Sequence, residues 1–358
     1  MVGSIGDLDP SETPLVLRRV SPVWKDIADS TPRLWSTITV KPPQVLLPNV
    51  QVIREWLERA GPTNLLDINV HVLDFPNLNL LAGILAEFMP TSRRWRHLDL
   101  SIPVVFLPML LGNFGAPLPA LESLKLAIDC QPCFTIDPSA TRLRSVSLLA
   151  RPPMGVISGT QLNLGWKQIT SLNIETATVT LNVLRDTFFL CPQLLSLTIS
   201  IRNNRFILQI PFHRDHLYHA NIRQLTMSVN THPAVIGHFL DGLYLPRLQE
   251  LQLNFTDPVD EIYLWPRASI LGLRQRCLPP LVRVVITGKF IFEEDLVDFV
   301  QKMKHLEQLK VMYEEHNLVT PYVRGLMPQD DAEVLRRQAA YWDEVHESIF
   351  FDRNQMTI

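Results

Sequence analysis

"LPRLQELQL", Leu245 to Leu253, sets apolar residues at Leu248, Leu251 and Leu253 behind a proline. The last two are two apart and so share one face of a strand, while the first enters the same core from the preceding turn. Pro246 ends the segment before it without removing a ladder hydrogen bond, because pairing begins later. One match to so loose a template means little. The same apolar-x-x-apolar-x-apolar spacing returns in "CPQLLSLTI" (Cys191 to Ile199), "LPALESLKL" (Leu118 to Leu126) and "LPPLVRVVI" (Leu278 to Ile286).

Along the whole chain the template is met at Trp35-Ile38-Val40, Leu65-Ile68-Val70, Trp95-Leu98-Leu100, Leu121-Leu124-Leu126, Leu143-Val146-Leu148 and Ile169-Leu172-Ile174. It continues at Leu194-Leu197-Ile199, Ile222-Leu225-Met227, Leu248-Leu251-Leu253, Leu281-Val284-Ile286 and Leu306-Leu309-Val311. First positions are 30, 30, 26, 22, 26, 25, 28, 26, 33 and 25 residues apart, a near-regular period that chance does not supply. Between the strands lie helices. "NVQVIREWLERAGP" puts Val52, Ile53, Trp56, Leu57 and Ala60 on one face, with Asn49 as N-cap and Gly61-Pro62 as the stop. "NLNLLAGILAEFM", "TLNVLRDTFFL", "PAVIGHFLDGL" and "EEDLVDFVQKM" read the same way.

Strand-then-helix units of this length stack into a solenoid, with parallel strands on the concave face and helices on the convex face. The expected class is therefore α/β. The pattern resembles leucine-rich repeats, whose period is about 20–29 residues, over roughly residues 60–315. It departs from that family in lacking a regular asparagine after the strand. Asn230 fills that position once, and Asp129, Arg151 or Thr256 stand there elsewhere, so an irregular horseshoe is expected.

Bulk properties narrow the function. The chain has 358 residues, 46% hydrophobic and 19% charged, enough for a sizeable core. Its 33 basic and 36 acidic residues give a formal charge of −3, which argues against a nucleic-acid or anionic-membrane partner. "MVGSIGDLDPSETP" has neither the basic nor the apolar region of a secretory signal. The apolar run "IPVVFLPMLL" from Ile102 is about half a membrane-spanning length and carries two prolines. Four cysteines do not make a disulfide framework in so long a chain. An intracellular protein of the cytoplasm or nucleus, with no membrane span, is expected.

Alternate strand positions point away from the core and offer a recognition face. They are Ser145, Ser147, Ser171, Asn173, Glu175, Ser196, Thr198, Ser200, Gln224, Thr226 and Ser228, then Glu250, Gln252, Asn254, Arg283, Thr287, Gln308 and Lys310. Hydroxyl and amide groups of this kind suit adaptable hydrogen bonding to a protein partner, and equally suit plain solvation.

Leu17, Val20, Trp24 and Ile27 fall three, four and three apart, one helical face. Pro22 breaks that helix, and Ser21 as N-cap restarts it, giving two helices that stop near Ser30-Thr31-Pro32 before "RLWSTITV" opens the first strand. "PLVLRRVSPVWKDIADSTPRLWSTITV" (Pro14 to Val40) resembles the second half of an F-box, with Ser21 at a position where the family usually has cysteine. "WLERAGPTNLLDINVHV" (Trp56 to Val72) is similar to the helix and strand that succeed the F-box in fungal F-box leucine-rich proteins. The resemblance implies an adaptor-docking surface at Leu15, Leu17, Val20, Pro22, Trp24 and Ile27. It also implies a cullin-based (SCF-type) ubiquitin ligase as host, with a protein substrate held on the repeats. The alternative is that Trp24 and Trp35 only cap the array and the protein is a stand-alone binding scaffold.

No enzymatic constellation emerges, and neither a cofactor nor a metal is expected. "CQPC" (Cys130 to Cys133) lacks a second pair at zinc-site distance. "HRDHLYH" (His213 to His219) reads as a solvated loop, and Glu293-Glu294 and Asp330-Asp331 as helix starts. The expected plan is a disordered 1–13, F-box-like helices over 14–34, about eleven repeats over 35–315, and a capping helix with tail over 316–358. In that last segment "PQDDAEVLRRQAAYWDEVHESIF" places Val334, Leu335, Ala339, Trp342 and Val345 on one face.

Overall fold

The structure is a computed structural model describing residues 13–41, 50–72, 77–111, 117–128, 134–136, 139–150, 162–163, 165–176, 181–201, 217–229, 233–255, 265–277, 281–288, 291–313 and 316–327. The chain forms two compact units, Met1–Leu194 and Leu195–Ile358.

The first unit opens with α1 (Thr13–Val20) and α2 (Pro22–Asp29). Ser21 between them is extended, and its Oγ accepts from the Trp24 amide at 3.3 Å. Pro22 takes the first helical position, where its missing N–H leaves no bond unmade. The break therefore falls where the spacing predicts it. Strand structure begins later than "RLW": Pro32–Trp35 is a 3-10 turn that folds Trp35 inward, and β1 (Thr37–Val40) comes after it. Next come α3 (Val50–Arg59), β2 (Leu66–His71), α4 (Leu78–Phe88), β3 (Trp95–Ser101), α5 (Leu107–Leu111), β4 (Ser123–Ile128), β5 (Phe134–Thr135), β6 (Ser145–Ala150), β7 (Leu162–Asn163), β8 (Ser171–Thr176) and α6 (Leu181–Leu190). Strands β1, β2, β3, β4, β6 and β8 pair in that order, all parallel, and β5 pairs with β7 separately.

The second unit holds β9 (Ser196–Ile201), β10 (Leu217–Tyr218), β11 (Gln224–Val229), α7 (Pro233–Asp241), β12 (Leu243–Tyr244), β13 (Glu250–Phe255), α8 (Arg267–Gln275), β14 (Arg283–Thr287), α9 (Glu293–Lys302), β15 (Gln308–Tyr313), β16 (His316–Asn317) and α10 (Pro321–Gly325). Here β9, β11, β13, β14 and β15 are parallel in that order. The antiparallel β16 and the Leu318 amide, which donates to Val311 O at 2.8 Å, cover part of the last edge. Asn49, Asn230 and the closing helix expected from Pro328 onward lie outside the described residues.

Each of the eleven template matches leads into a parallel strand. Their apolar positions are buried with one correction. Leu65 is 36% exposed, while its neighbour Leu66 is fully buried and pairs with Trp95. In the other repeats, except that of Trp95, which itself opens β3, the first apolar residue lies two positions before its strand, but here extended chain already begins at Leu66. The period of two then sends Leu66, Ile68 and Val70 inward together and Leu65 outward, and the register shifts between Leu66 and Asp67. A shared device keeps the repeats aligned. Arg144 O accepts both the Thr170 and Ser171 amides, Arg223 O those of Gln249 and Glu250, and Gln249 O those of Val282 and Arg283.

The core of each unit joins the inward strand positions to one face of its helices. Ile53, Trp56 and Leu57 of α3 are buried as expected, and so are Leu296, Phe299 and Val300 of α9. Gly61 takes a left-handed φ of 71° to end α3. Periodicity does not predict α5 or α8. The first lasts five residues beside two prolines, and the second buries only Ile270 and Leu273 around Gly272, so neither builds a full periodic stripe.

Candidate functional site

Two surfaces gather the residues singled out by sequence. The first is the helix pair. Trp35 anchors it: the ring is fully buried, meets Trp56 edge-on at 4.8 Å between centroids, and donates from Nε1 to Ala28 O at 2.7 Å. Trp56 Nε1 in turn donates to Trp35 O at 2.8 Å, so both indole N–H groups are satisfied inside the core. The Arg59 and Arg18 guanidiniums lie 4.9 and 6.0 Å from the Trp35 ring centre. Asp29 takes Arg18 at 3.1 Å and Arg59 at 3.8 Å, tying both helices to α3.

Trp24 is different. It is 45% exposed, and Ile27 (44%), Val20 (60%) and Val23 (67%) are open beside it, with Val16 and Pro22 also exposed. Leu15 and Leu17 are half-buried. Val16 and Val20 are four apart on α1, and Val23 and Ile27 are four apart on α2, so each helix shows an apolar stripe to solvent. Of the two tryptophans, Trp35 alone is buried.

The second surface is the outward strand face. Ser145 pairs in register with Ser171, and Ser147 with Asn173. In the other unit one row runs Ser196, Gln224, Glu250, Arg283, and the next runs Thr198, Thr226, Gln252, Val285, Lys310. Register sets amides beside hydroxyls. Asn69 donates to Thr39 Oγ1 at 3.3 Å, Asn173 to Ser147 Oγ at 3.1 Å, and Asn254 to Ser228 Oγ at 3.0 Å. A depression of about 190 Å³ is lined by Gln224, Thr226, Glu250, Gln252, Arg283 and Val285, together with Leu225 and Leu251.

Sequence reasoning missed the charged start of this face. Arg96 makes a two-point contact with Asp67 at 3.0 and 2.7 Å, and Lys125 reaches Asp99 at 2.8 Å. His71 and His97 stand 3.6 and 4.0 Å from Asp99 and Asp67. The Asp67 hydrogen bond raises the Arg96 guanidinium above its ordinary value. The same two-residue alternation, read in the repeats before Ser145, points to Asp67, Asp99 and Lys125.

His219 is 4% exposed, with Nδ1 accepting from the Asn221 amide at 3.3 Å, so this end of the histidine cluster is core and not solvated loop. His213, His216, Cys130 and Cys133 lie outside the described residues. Among the described residues, no group of three or more His, Cys, Asp or Glu could hold a metal, and no helix is long and apolar enough to cross a membrane. Burial pushes the Cys191 and Cys277 thiols up to about 12, away from nucleophilic use. No protein-family model and no curated protein matches the chain.

Proposed function

We propose that the protein is a non-enzymatic substrate receptor of F-box type. Its helix pair docks on the adaptor of a cullin-based ubiquitin ligase, and a protein substrate lies on the strand face of an irregular leucine-rich-repeat horseshoe. One observation carries the docking half: α1 and α2 show Val20, Val23, Trp24 and Ile27 to solvent while Trp35 and Asp29 hold the pair in place from behind. An apolar stripe on a short, well-anchored helix pair is the form a helix-mediated interface takes.

The test is capture of the full chain on immobilised ligase adaptor. Wild type is retained, and Trp24→Asp weakens retention about thirty-fold, as removing an aromatic hot spot worth about 2 kcal/mol would do. Failure of wild type to bind, or equal binding by Trp24→Asp, overturns the docking reading and leaves a stand-alone repeat scaffold.

A further inference from the structure

Opposite charges on the outward face of the first unit already hold one another, Arg96 by Asp67 and Lys125 by Asp99. The second unit differs. Among the described residues, three charged side chains stand on its outward strand positions: Glu250, Arg283 and Lys310. Glu250 accepts from Gln224 Nε2 at 3.2 Å but meets Arg283 only at 3.8 Å, beyond hydrogen-bond range. Lys310 is exposed and forms no ion pair among the described residues. These positions therefore carry a net positive charge, with Lys310 unpaired among the described residues and Arg283 held only by its 3.8 Å ion pair with Glu250.

Register sets the distance between those cations. Arg283 pairs with Gln308 and Val285 with Lys310, so Lys310 lies one strand across and two residues along from Arg283. With strands about 4.8 Å apart and a rise of about 3.3 Å per residue, that diagonal is about 8 Å. An extended peptide presents alternate side chains on one face at nearly the same spacing, about 6.6 Å. The neighbouring depression of about 190 Å³ is smaller than the roughly 300–1,000 Å³ of a small-molecule pocket. It suits one peptide side chain.

We propose that the outward face of the second unit binds an extended acidic peptide segment in which two carboxylates alternate with an uncharged residue, one on Arg283 and the next on Lys310. Glu250 repels a third carboxylate, so it sets direction and register along the strands. Calling that peptide a substrate rests on the receptor reading above; the binding itself does not.

The probe is a short fluorescent peptide alternating glutamate and serine, titrated by anisotropy against the full chain. Comparison peptides carry glutamate at every third position, or alternate lysine and serine. The alternating acidic peptide binds best, and rising salt weakens it. Arg283→Gln and Lys310→Gln each lower its affinity about three- to ten-fold, the range of single exposed ionic contacts, and Glu250→Gln raises it. Both cations are exposed, so urea midpoints stay unchanged and the loss is not one of folding. Equal binding of the comparison peptides, or wild-type affinity in both cation variants, overturns the proposal. Adaptor capture run on the same variants separates the two readings. Wild-type peptide affinity in both cation variants with capture intact sinks this one alone. The expected loss of peptide binding in those variants, with a wild-type chain that captures no adaptor, sinks the docking reading alone.

Discussion

Trp24 and Trp35 lie eleven positions apart in one short stretch, and the fold treats them oppositely. Trp35 has its N–H on Ala28 O, its edge partner in Trp56 and two guanidiniums over its faces. Truncating it opens a cavity and strands those partners, so Trp35→Ala should lower unfolding free energy by about 3–5 kcal/mol. Trp24→Ala removes a half-open side chain and should change it by about 0.5 kcal/mol or less. Urea denaturation of both variants decides: similar losses would show that Trp24 is a core residue after all. Periodicity could not separate the two, because both fit an apolar pattern. Which is covered depends on Trp56 and Arg59, which arrive from α3.

Among elements, the start of α2 was the most legible, because a serine before a proline carries its own local mechanism. Ser21→Ala removes the acceptor for the Trp24 amide and should weaken α2 by about 1 kcal/mol. Hydrogen exchange should show faster Trp24 and Lys25 amides with the β2 and β3 amides unaffected; unchanged exchange at Trp24 would deny the cap a role. Strands at all eleven matches were equally readable, since the period of two survives any choice of residue in between. Helices were less so. α8 fills the 33-residue gap between Leu248 and Leu281, yet Gly272 and polar neighbours blur its stripe. Its hold on the fold comes from elsewhere: Arg276 donates to the Leu240 and Leu243 carbonyls at 2.9 and 3.0 Å, a contact across thirty-odd residues that no window reveals.

Across the molecule, each unit encloses a buried thiol, Cys191 in the first and Cys277 in the second. Burial raises both from an ordinary 9.0 to about 12, with Arg276 pulling Cys277 slightly the other way. Above about pH 9 the unfolded chain releases these protons while the folded chain keeps them. The unfolded state then binds fewer protons, and stability falls as pH rises from about 9 toward about 12. Urea midpoints taken at about pH 8 and about pH 10.5 should fall more steeply in wild type than in a Cys191→Ala/Cys277→Ala variant. Equal slopes would show that the thiols do not drive the loss.

The repeat period, the inward strand positions and the helix break at Pro22 were written in the chain itself, since each depends on residues within one turn or one strand. Folding settled matters that need a neighbouring repeat. It selected Leu66 over Leu65 through the register with Trp95. It paired Asp67 with Arg96 across 29 residues, and it left Arg283 and Lys310 without a hydrogen-bonded carboxylate among the described residues. A local pattern states which way a side chain points. What it meets there is set by the strand laid alongside, and that strand is distant in sequence.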